Sequence, residues 1–189
     1  MTVTVTPTLE PIGQVLTPEE YDALPENSLR EFVDGVVHVM ATPTYWHQQV
    51  AQELRAALKG LKPMDLRVTG ELEIRLGDTL RRNPDVLVVA AAGLDRGACR
   101  VLPEHVELAV EIVSPGSEST DRQVKPHEYA RAGIPHYWRV EIDPELVVHT
   151  FRLGDRGYVE TGVFTSGDVV AAPGLSWARV KVDELTDEG

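Results

Sequence analysis

The sequence has a single cysteine and no long apolar run, and each shortage excludes a class of structure. Cys99 is the only cysteine in 189 residues, so an internal disulfide is excluded, as is usual for proteins of a reducing compartment. The apolar runs are far shorter than the roughly 20 residues that a membrane-spanning helix needs. The opening stretch MTVTVTPTLEPI lacks the basic and apolar regions of a secretory signal. We therefore expect a cytoplasmic protein with no membrane partner.

Basic residues are also scarce. The chain has 18 Lys and Arg residues against 30 Asp and Glu residues, which gives a formal net charge of −12. Binding to a phosphate backbone normally depends on clustered Lys and Arg side chains, so this balance disfavours strong non-specific binding to nucleic acid.

The length and the hydrophobic patterning predict one domain with a sizeable core, residues 15–189, after a flexible N-terminal tail, residues 1–14. Helices are predicted from the cap-like Thr17-Pro18, from Thr44 with Val50, Leu54, Leu58 and Leu61 at helical spacing, and over residues 120–132 up to Gly133. Strands are predicted in REFV and VVHVM around the turn Asp34-Gly35, and in DLRVTGELEIRL, DVLVVA, VELAVEIV and HYWRVEI.

The C-terminal part reads as an antiparallel extension. LVVHTFRL and GYVETGVF flank a glycine-rich turn, residues 154–157, and WARVKVDEL predicts a last strand or a short helix. The order of these elements predicts an α/β or α+β fold, with helices flanking a central mixed β-sheet.

Two acidic residues lie where the pattern predicts buried strands. Asp85 opens the apolar run NPDVLVVAAA, and Glu111 interrupts LAVEIVSPG. A buried carboxylate without a partner costs several kcal/mol, and consecutive strands are usually neighbours, so both carboxylates can converge on one cation. Mg²⁺ commonly uses one or two carboxylates together with water and substrate phosphate. The alternative is that Asp85 caps a loop and Glu111 pairs with a nearby Arg or Lys.

A Pro-Asp that opens one strand, followed by an acidic residue in the next, resembles the PD-(D/E)XK nucleases. The stretches REFVDG, NPDVLVV and VEIVSPGSESTDRQVKPHEYARAGIPHYWRVEID, with His47 between them, resemble the Uma-type restriction endonuclease family. The resemblance implies a restriction-endonuclease-like core and a nuclease site that uses Mg²⁺ or Mn²⁺. It also implies a homodimer and a nucleic acid substrate, with DNA expected ahead of RNA.

Carried over residue by residue, the resemblance assigns Asp85 and Glu111 as metal ligands, with the carbonyl of Ile112 beside them. The lysine expected two residues after Glu111 is replaced by Val113, and Lys125 on the following helix takes its place as the group that assists the attacking water. Glu31 matches an upstream acidic position that assists metal binding. Because proline disfavours helical geometry in the residue before it, Pro126 predicts that Lys125 lies on a loop edge just before the helix.

Two readings beside the nuclease stay open from the sequence. One is a nuclease fold retained as a non-catalytic binding or regulatory module, and the other is a metal-dependent hydrolase of smaller phosphate esters. For nucleic acid binding we expect a local basic rim around the site, formed by Arg81, Arg82, Arg122, Lys125 and Arg131. Tyr129 is expected to pack in the core rather than to stack on bases, and His47 to lie near the site or simply to begin a helix.

Overall fold

A computed structural model describes residues 10–186 of the chain, and within that range eleven strands form two sheets. The helices are α1 (Pro18–Asp22), α2 (Tyr45–Leu61) and α3 (Lys125–Arg131). The strands are β1 (Arg30–Val33), β2 (Val36–Val39), β3 (Leu66–Thr69), β4 (Glu73–Gly77), β5 (Leu80–Arg82), β6 (Val86–Ala90), β7 (Arg100–Val101), β8 (Val106–Ile112), β9 (His136–Glu141), β10 (Val147–Gly154) and β11 (Gly157–Phe164).

The larger sheet has the strand order β11-β10-β9-β8-β6-β3 and supports the site. Strand β8 is its centre, antiparallel to β6 and parallel to β9. Nearly every residue of β8 is buried, because the sheet is covered on both faces, and this explains its almost continuous apolar sequence. The smaller sheet, in the order β2-β1-β5-β4-β7, adds the remaining strands. The predicted mixed fold is therefore confirmed, with two sheets in place of one.

Helix α2 packs on the larger sheet through the side chains that the sequence pattern placed on one face. Val50, Leu54 and Leu58 are fully buried, whereas Leu61 is 42 % exposed. The hydroxyl of Thr44 accepts a hydrogen bond from the backbone N–H of His47, so this threonine caps the helix as predicted. Among residues 10–186, no helix has the length and apolar character needed to cross a membrane.

The two predicted hairpins are present. Asp34 and Gly35 both have positive φ angles, 52° and 79°, which two-residue hairpin turns favour. The hairpin of β10 and β11 pairs Gly154 with Gly157 around a two-residue turn. The WARVKVDEL segment ends in a short 3₁₀ helix, Val182–Leu185.

The prediction of one strand through DLRVTGELEIRL is wrong. The segment forms β3 and β4, which belong to different sheets, because the chain turns at Gly70 and Glu71. Glu71 has a positive φ angle of 57°, which a continuous strand does not tolerate. A Cβ atom on Gly70 would lie 2.8 Å from the carbonyl oxygen of Asp85, so this turn passes directly against the site.

The predicted start of the last helix at Pro126 is also wrong. Residues Thr120–Val124 form a π-helical turn that runs directly into α3, and Lys125 has helical angles, φ −59° and ψ −44°. Pro126 has no N–H to donate to the carbonyl of Asp121, and it is tolerated because this carbonyl accepts a hydrogen bond from another donor. The Tyr137 hydroxyl donates to the carbonyl of Asp121 at 2.7 Å. The predicted end at Gly133 agrees with its positive φ angle of 82°.

The predicted tail, residues 1–14, lies mostly outside the described residues. Within its last part, Gly13 donates its backbone N–H to the carbonyl of Val37, and Glu10 pairs with Arg30 at 3.0 Å. The boundaries of the single domain stay a prediction.

Candidate active site

The predicted site residues line one groove of about 950 Å³ between α2, the start of β6, the end of β8 and the π-helical turn. Asp85, Glu111, Lys125 and Glu31 all lie on its wall, together with His47. The pairing of β6 with β8 brings the first two together, since Val86 lies opposite Val110.

Asp85 is held by the strand that carries Glu111. Its Oδ2 accepts a hydrogen bond from the Ile112 backbone N–H at 2.7 Å and lies 3.2 Å from His47 Nε2. The same Nε2 lies 3.1 Å from the Ile112 carbonyl oxygen. Burial opposes protonation of His47, but the hydrogen bond and charge of Asp85 outweigh it and raise the pKa of the imidazole.

Glu111 is buried, and protein groups contact both of its carboxylate oxygens. Oε2 lies 2.9 Å from Lys125 Nζ, and Oε1 accepts a hydrogen bond from the Tyr129 hydroxyl at 2.5 Å. Burial raises the pKa of Glu111 well above its usual value, and the nearby Asp121 and Asp85 carboxylates act in the same direction against Lys125. Burial therefore disfavours the ionised form of Glu111, whereas Lys125 and the hydrogen bond from Tyr129 favour it.

Lys125 points into the groove from the first turn of α3. Its ammonium group lies 2.9 Å from Glu111, 3.0 Å from Asp121 and 3.7 Å from Glu31. Burial alone would lower the pKa of Lys125, but the three carboxylates raise it well above its usual value, so this lysine is charged. A lysine four residues after Asp121 and four before Tyr129 places all three side chains on one helical face.

Glu31 enters the cluster from β1 and is held by Arg82. Arg82 Nη1 donates to Glu31 at 2.6 Å, while the rest of the guanidinium forms a two-bond contact with Glu128 at 2.7 and 2.9 Å. The backbone N–H of Asn83 also donates to Glu31, at 3.4 Å. Glu31 is thus fixed at the edge of the site, 4 % exposed.

The predicted basic rim is wrong for three of its main members. Arg81 is completely buried and lies near Asp22 and Glu73, Arg82 is buried between two glutamates, and Lys125 is buried among three carboxylates. Arg122 is more exposed, but it pairs with Glu141 at 2.9 Å. In an acidic chain these cations are drawn to carboxylates and are not free for phosphate.

The donor set fits a hard divalent cation. Five carboxylates (Glu31, Asp85, Glu111, Asp121 and Glu128) face only two permanent cations, Lys125 and Arg82, which leaves a net charge of −3 when His47 is neutral. Carboxylate oxygens and the Ile112 carbonyl are the ligands that Mg²⁺ and Mn²⁺ prefer. Between residues 10 and 186 no three His, Cys, Asp or Glu side chains are already grouped as a metal site. Lys125 and Tyr129 contact Glu111, and His47 lies between Asp85 and Ile112, so binding requires these contacts to rearrange.

Asp121 and Tyr129 are the site residues that sequence reasoning did not select. Tyr129 is fully buried, as expected for core packing, yet its hydroxyl also positions Glu111. Asp121, Lys125 and Tyr129 are four residues apart. Once Lys125 is placed on a helix rather than before it, this spacing predicts that Asp121 and Tyr129 lie on the same helical face as Lys125. A π-helical turn at this point is typical of functional sites.

The raised pKa of Glu111 predicts how stability depends on pH. A carboxyl whose pKa is higher in the folded than in the unfolded state contributes stability below about pH 4.5, which is lost as the pH rises through the folded value. The metal-free protein should therefore lose stability from acidic to neutral pH by at most about 1.4 kcal/mol per pH unit for this one proton. Urea unfolding in EDTA at pH 5.5 and 8 measures the change, and Glu111→Gln should reduce it. An equal pH dependence in the variant would contradict the assignment.

Comparison with known proteins identifies the family and the fold. The Uma2 family, described as "Putative restriction endonuclease", matches residues 18–183. The chain is similar in structure to a protein from Anabaena variabilis ATCC 29413, described as "a putative nuclease belonging to DUF820". The two share 24 % sequence identity and a TM-score of 0.73 over 90 % of this chain and 97 % of the other. No curated protein matches the sequence. The chain belongs to the Uma2 family and has its restriction-endonuclease-like fold.

Proposed function

We propose that the protein is a metal-dependent endonuclease that hydrolyses phosphodiester bonds in nucleic acid, with DNA as the preferred substrate. The observation that supports this most is the convergence of Asp85, Glu111 and Lys125 in one groove from three separate elements, with Lys125 Nζ 2.9 Å from Glu111. These are the residues that the family resemblance assigns to the site.

In this proposal Asp85, Glu111 and the Ile112 carbonyl hold Mg²⁺ or Mn²⁺. His47 Nε2 lies within 3.2 Å of both the Asp85 carboxylate and the Ile112 carbonyl, two acceptors, so it donates a proton where the cation would bind and would have to give way to it. The bound cation would supply an acidified water and charge neutralisation at the phosphate.

The remaining residues of the site would position the metal ligands and the attacking water and would neutralise charge. With Glu111 among the residues that would hold the cation, Lys125 would keep Asp121 and Glu31 as partners and could orient the attacking water or stabilise negative charge on the phosphate. The Tyr129 hydroxyl fixes the Glu111 side chain, and Arg82 fixes Glu31. The homodimer and the order of preference between DNA and RNA, which the family resemblance implies, belong to the same proposal.

A second candidate is a nuclease fold that binds without turnover. It is favoured by one observation, that three carboxylates neutralise Lys125 within the folded chain. A lysine held in this way throughout would leave the site without its water-positioning cation.

Nicking of supercoiled plasmid separates the two candidates. The wild type should cleave with Mg²⁺ or Mn²⁺ and not in EDTA, and Asp85→Asn should lower the rate by on the order of 100-fold or more. Asn keeps an oxygen that accepts the Ile112 N–H, so the fold is preserved. Asp155→Asn, in the exposed turn between β10 and β11, is the control with the same charge change. Metal binding by the wild type without cleavage of DNA or RNA would favour the binding module, and equal rates in both variants would place the activity elsewhere.

A further inference from the structure

Four of the nine Lys and Arg residues that form no ion pair among residues 10–186 lie on α2 and the short segment after it. Between Glu10 and Thr186, the basic residues Arg55, Lys59, Lys62 and Arg67 form no ion pair, in contrast to those around the active site. Residues 45–67 contain these four cations and only two acids, Glu53 and Asp65, a net charge of +2. The rest of the chain therefore has a net charge of −14, so this segment is locally basic in an acidic protein.

Exposed and half-buried side chains on one flank of α2, ending at its C-cap Lys62, follow one line. We call it the α2 stripe, and its members recur every three or four residues: Tyr45, Gln48, Gln52, Arg55, Lys59 and Lys62. This spacing places them on one flank, beside the buried face that packs on the sheet. From first to last the stripe is roughly 25 Å long, at about 1.5 Å per residue.

The stripe is continuous with the active site. Gln48, Gln52 and Arg55 line the same groove as Asp85 and Lys125. The Arg55 guanidinium and the Asp85 carbonyl both lie close to Gly70, and a side chain at position 70 would collide with both. A cation is thus held at the rim of the groove beside a proposed metal ligand, and two lysines follow it away from the site.

The chemistry of the stripe fits a phosphate backbone. Its cationic end presents three positive groups, and its middle presents two amide side chains, which donate to phosphate oxygens without adding charge. At its other end Tyr45 is 70 % exposed, as is suitable for stacking on an unpaired base.

We propose that the α2 stripe is the surface on which a nucleic acid strand leaves the active-site groove, with Arg55, Lys59 and Lys62 contacting successive phosphates. The inference rests on the proposed function for the nature of the substrate. It explains how a chain of net charge −12 binds a polyanion, since the required positive charge is local and adjacent to the site.

Binding of fluorescent single-stranded and duplex oligonucleotides of DNA and RNA, measured by anisotropy in EDTA and again in Ca²⁺, tests the stripe without cleavage. Lys59→Gln with Lys62→Gln should lower affinity on the order of tenfold at moderate salt. With duplex DNA the same double variant should reduce the slope of log K against log salt by about 2, because about 0.9 counterions are released per phosphate contact. The matched control is Arg152→Gln with Arg156→Gln, on β10 and its turn near the opposite edge of the larger sheet.

The control should retain the wild-type slope and affinity. Equal losses in the two double variants would show an effect of net charge alone and overturn the stripe, as would the absence of binding in both buffers. The outcomes are independent of the proposed activity. If the double variant has a reduced salt slope and the wild type is inactive, the stripe is supported and the nuclease function is rejected. If the wild type is active and the salt slope of the double variant is unchanged, the nuclease function is supported and the stripe is rejected.

Discussion

Replacing Lys125 with methionine should lower the free energy of unfolding of the metal-free protein by about 3–5 kcal/mol, the usual result of removing one partner from a buried ion pair. Methionine fills a similar volume but leaves Glu111, Asp121 and Glu31 without their shared cation. Saturating Mg²⁺ or Mn²⁺ should restore more stability in this variant than in the wild type, because the metal then supplies the missing positive charge. Urea unfolding with EDTA and with metal measures both effects.

The control for this variant is Lys181→Met, which removes an exposed lysine that pairs with Glu184. Exposed pairs contribute little, so its stability should stay close to the wild type with and without metal. A Lys125→Met protein as stable as the wild type in EDTA would show that the carboxylates take up protons instead, and it would remove the ion-pair argument.

Replacing Glu111 with glutamine should abolish both metal-dependent stabilisation and cleavage. Divalent metal at about 100 times its dissociation constant should stabilise the wild type by roughly 2.7 kcal/mol, since it binds the folded site and scarcely the unfolded chain. Glutamine still accepts the Tyr129 hydrogen bond, but it is a neutral and weaker ligand. Calorimetric titration with Mn²⁺ and a nicking assay on the same preparations measure the two losses.

Glu107, four residues before Glu111 on the same strand, is the matched control. Its side chain is 36 % exposed and lies near His136 rather than in the groove, so Glu107→Gln should retain binding and cleavage. Unchanged metal stabilisation in Glu111→Gln would show that the cation binds elsewhere, and metal binding would then no longer account for a glutamate inside a buried strand.

The sequence predicted most of the fold because its signals are local. The Thr44 cap, the helical spacing of Val50, Leu54 and Leu58, and the Asp34-Gly35 turn each depend on a few neighbouring residues. The division of DLRVTGELEIRL between two sheets was missed because alternation continues across Gly70 and Glu71. The turn is visible only in the folded structure, from the positive φ angle of Glu71 and the close approach of the Asp85 carbonyl to Gly70.

The candidate site was predicted in part for the same reason. Asp85 and Glu111 stand out since each is a charge in an apolar run, and adjacency of consecutive strands brings them together. Asp121 lies in a polar segment where a carboxylate attracts no notice, and its burial beside Lys125 depends on a π-helical turn that no local pattern indicates. The prediction of a basic rim was wrong for a similar reason. The sequence shows where the Lys and Arg residues are, but not which carboxylates they pair with in the folded chain.

Placing the lysine on a helix also divides the site between two kinds of structural element. Asp85, Glu111 and the Ile112 carbonyl belong to the central strands, whereas Asp121, Lys125 and Tyr129 arrive on a short helical segment, residues 120–131. A lysine at the position of Val113 would instead be attached directly after β8, to the same chain segment as Glu111. In this chain a local opening of the helical segment would carry the Lys125 ammonium group away from Glu111 while β6 and β8 stay paired. Amide hydrogens of residues 120–131 should therefore exchange faster than those of β6 and β8. Metal binding should change the exchange rates of the helical segment and of the two strands to different extents.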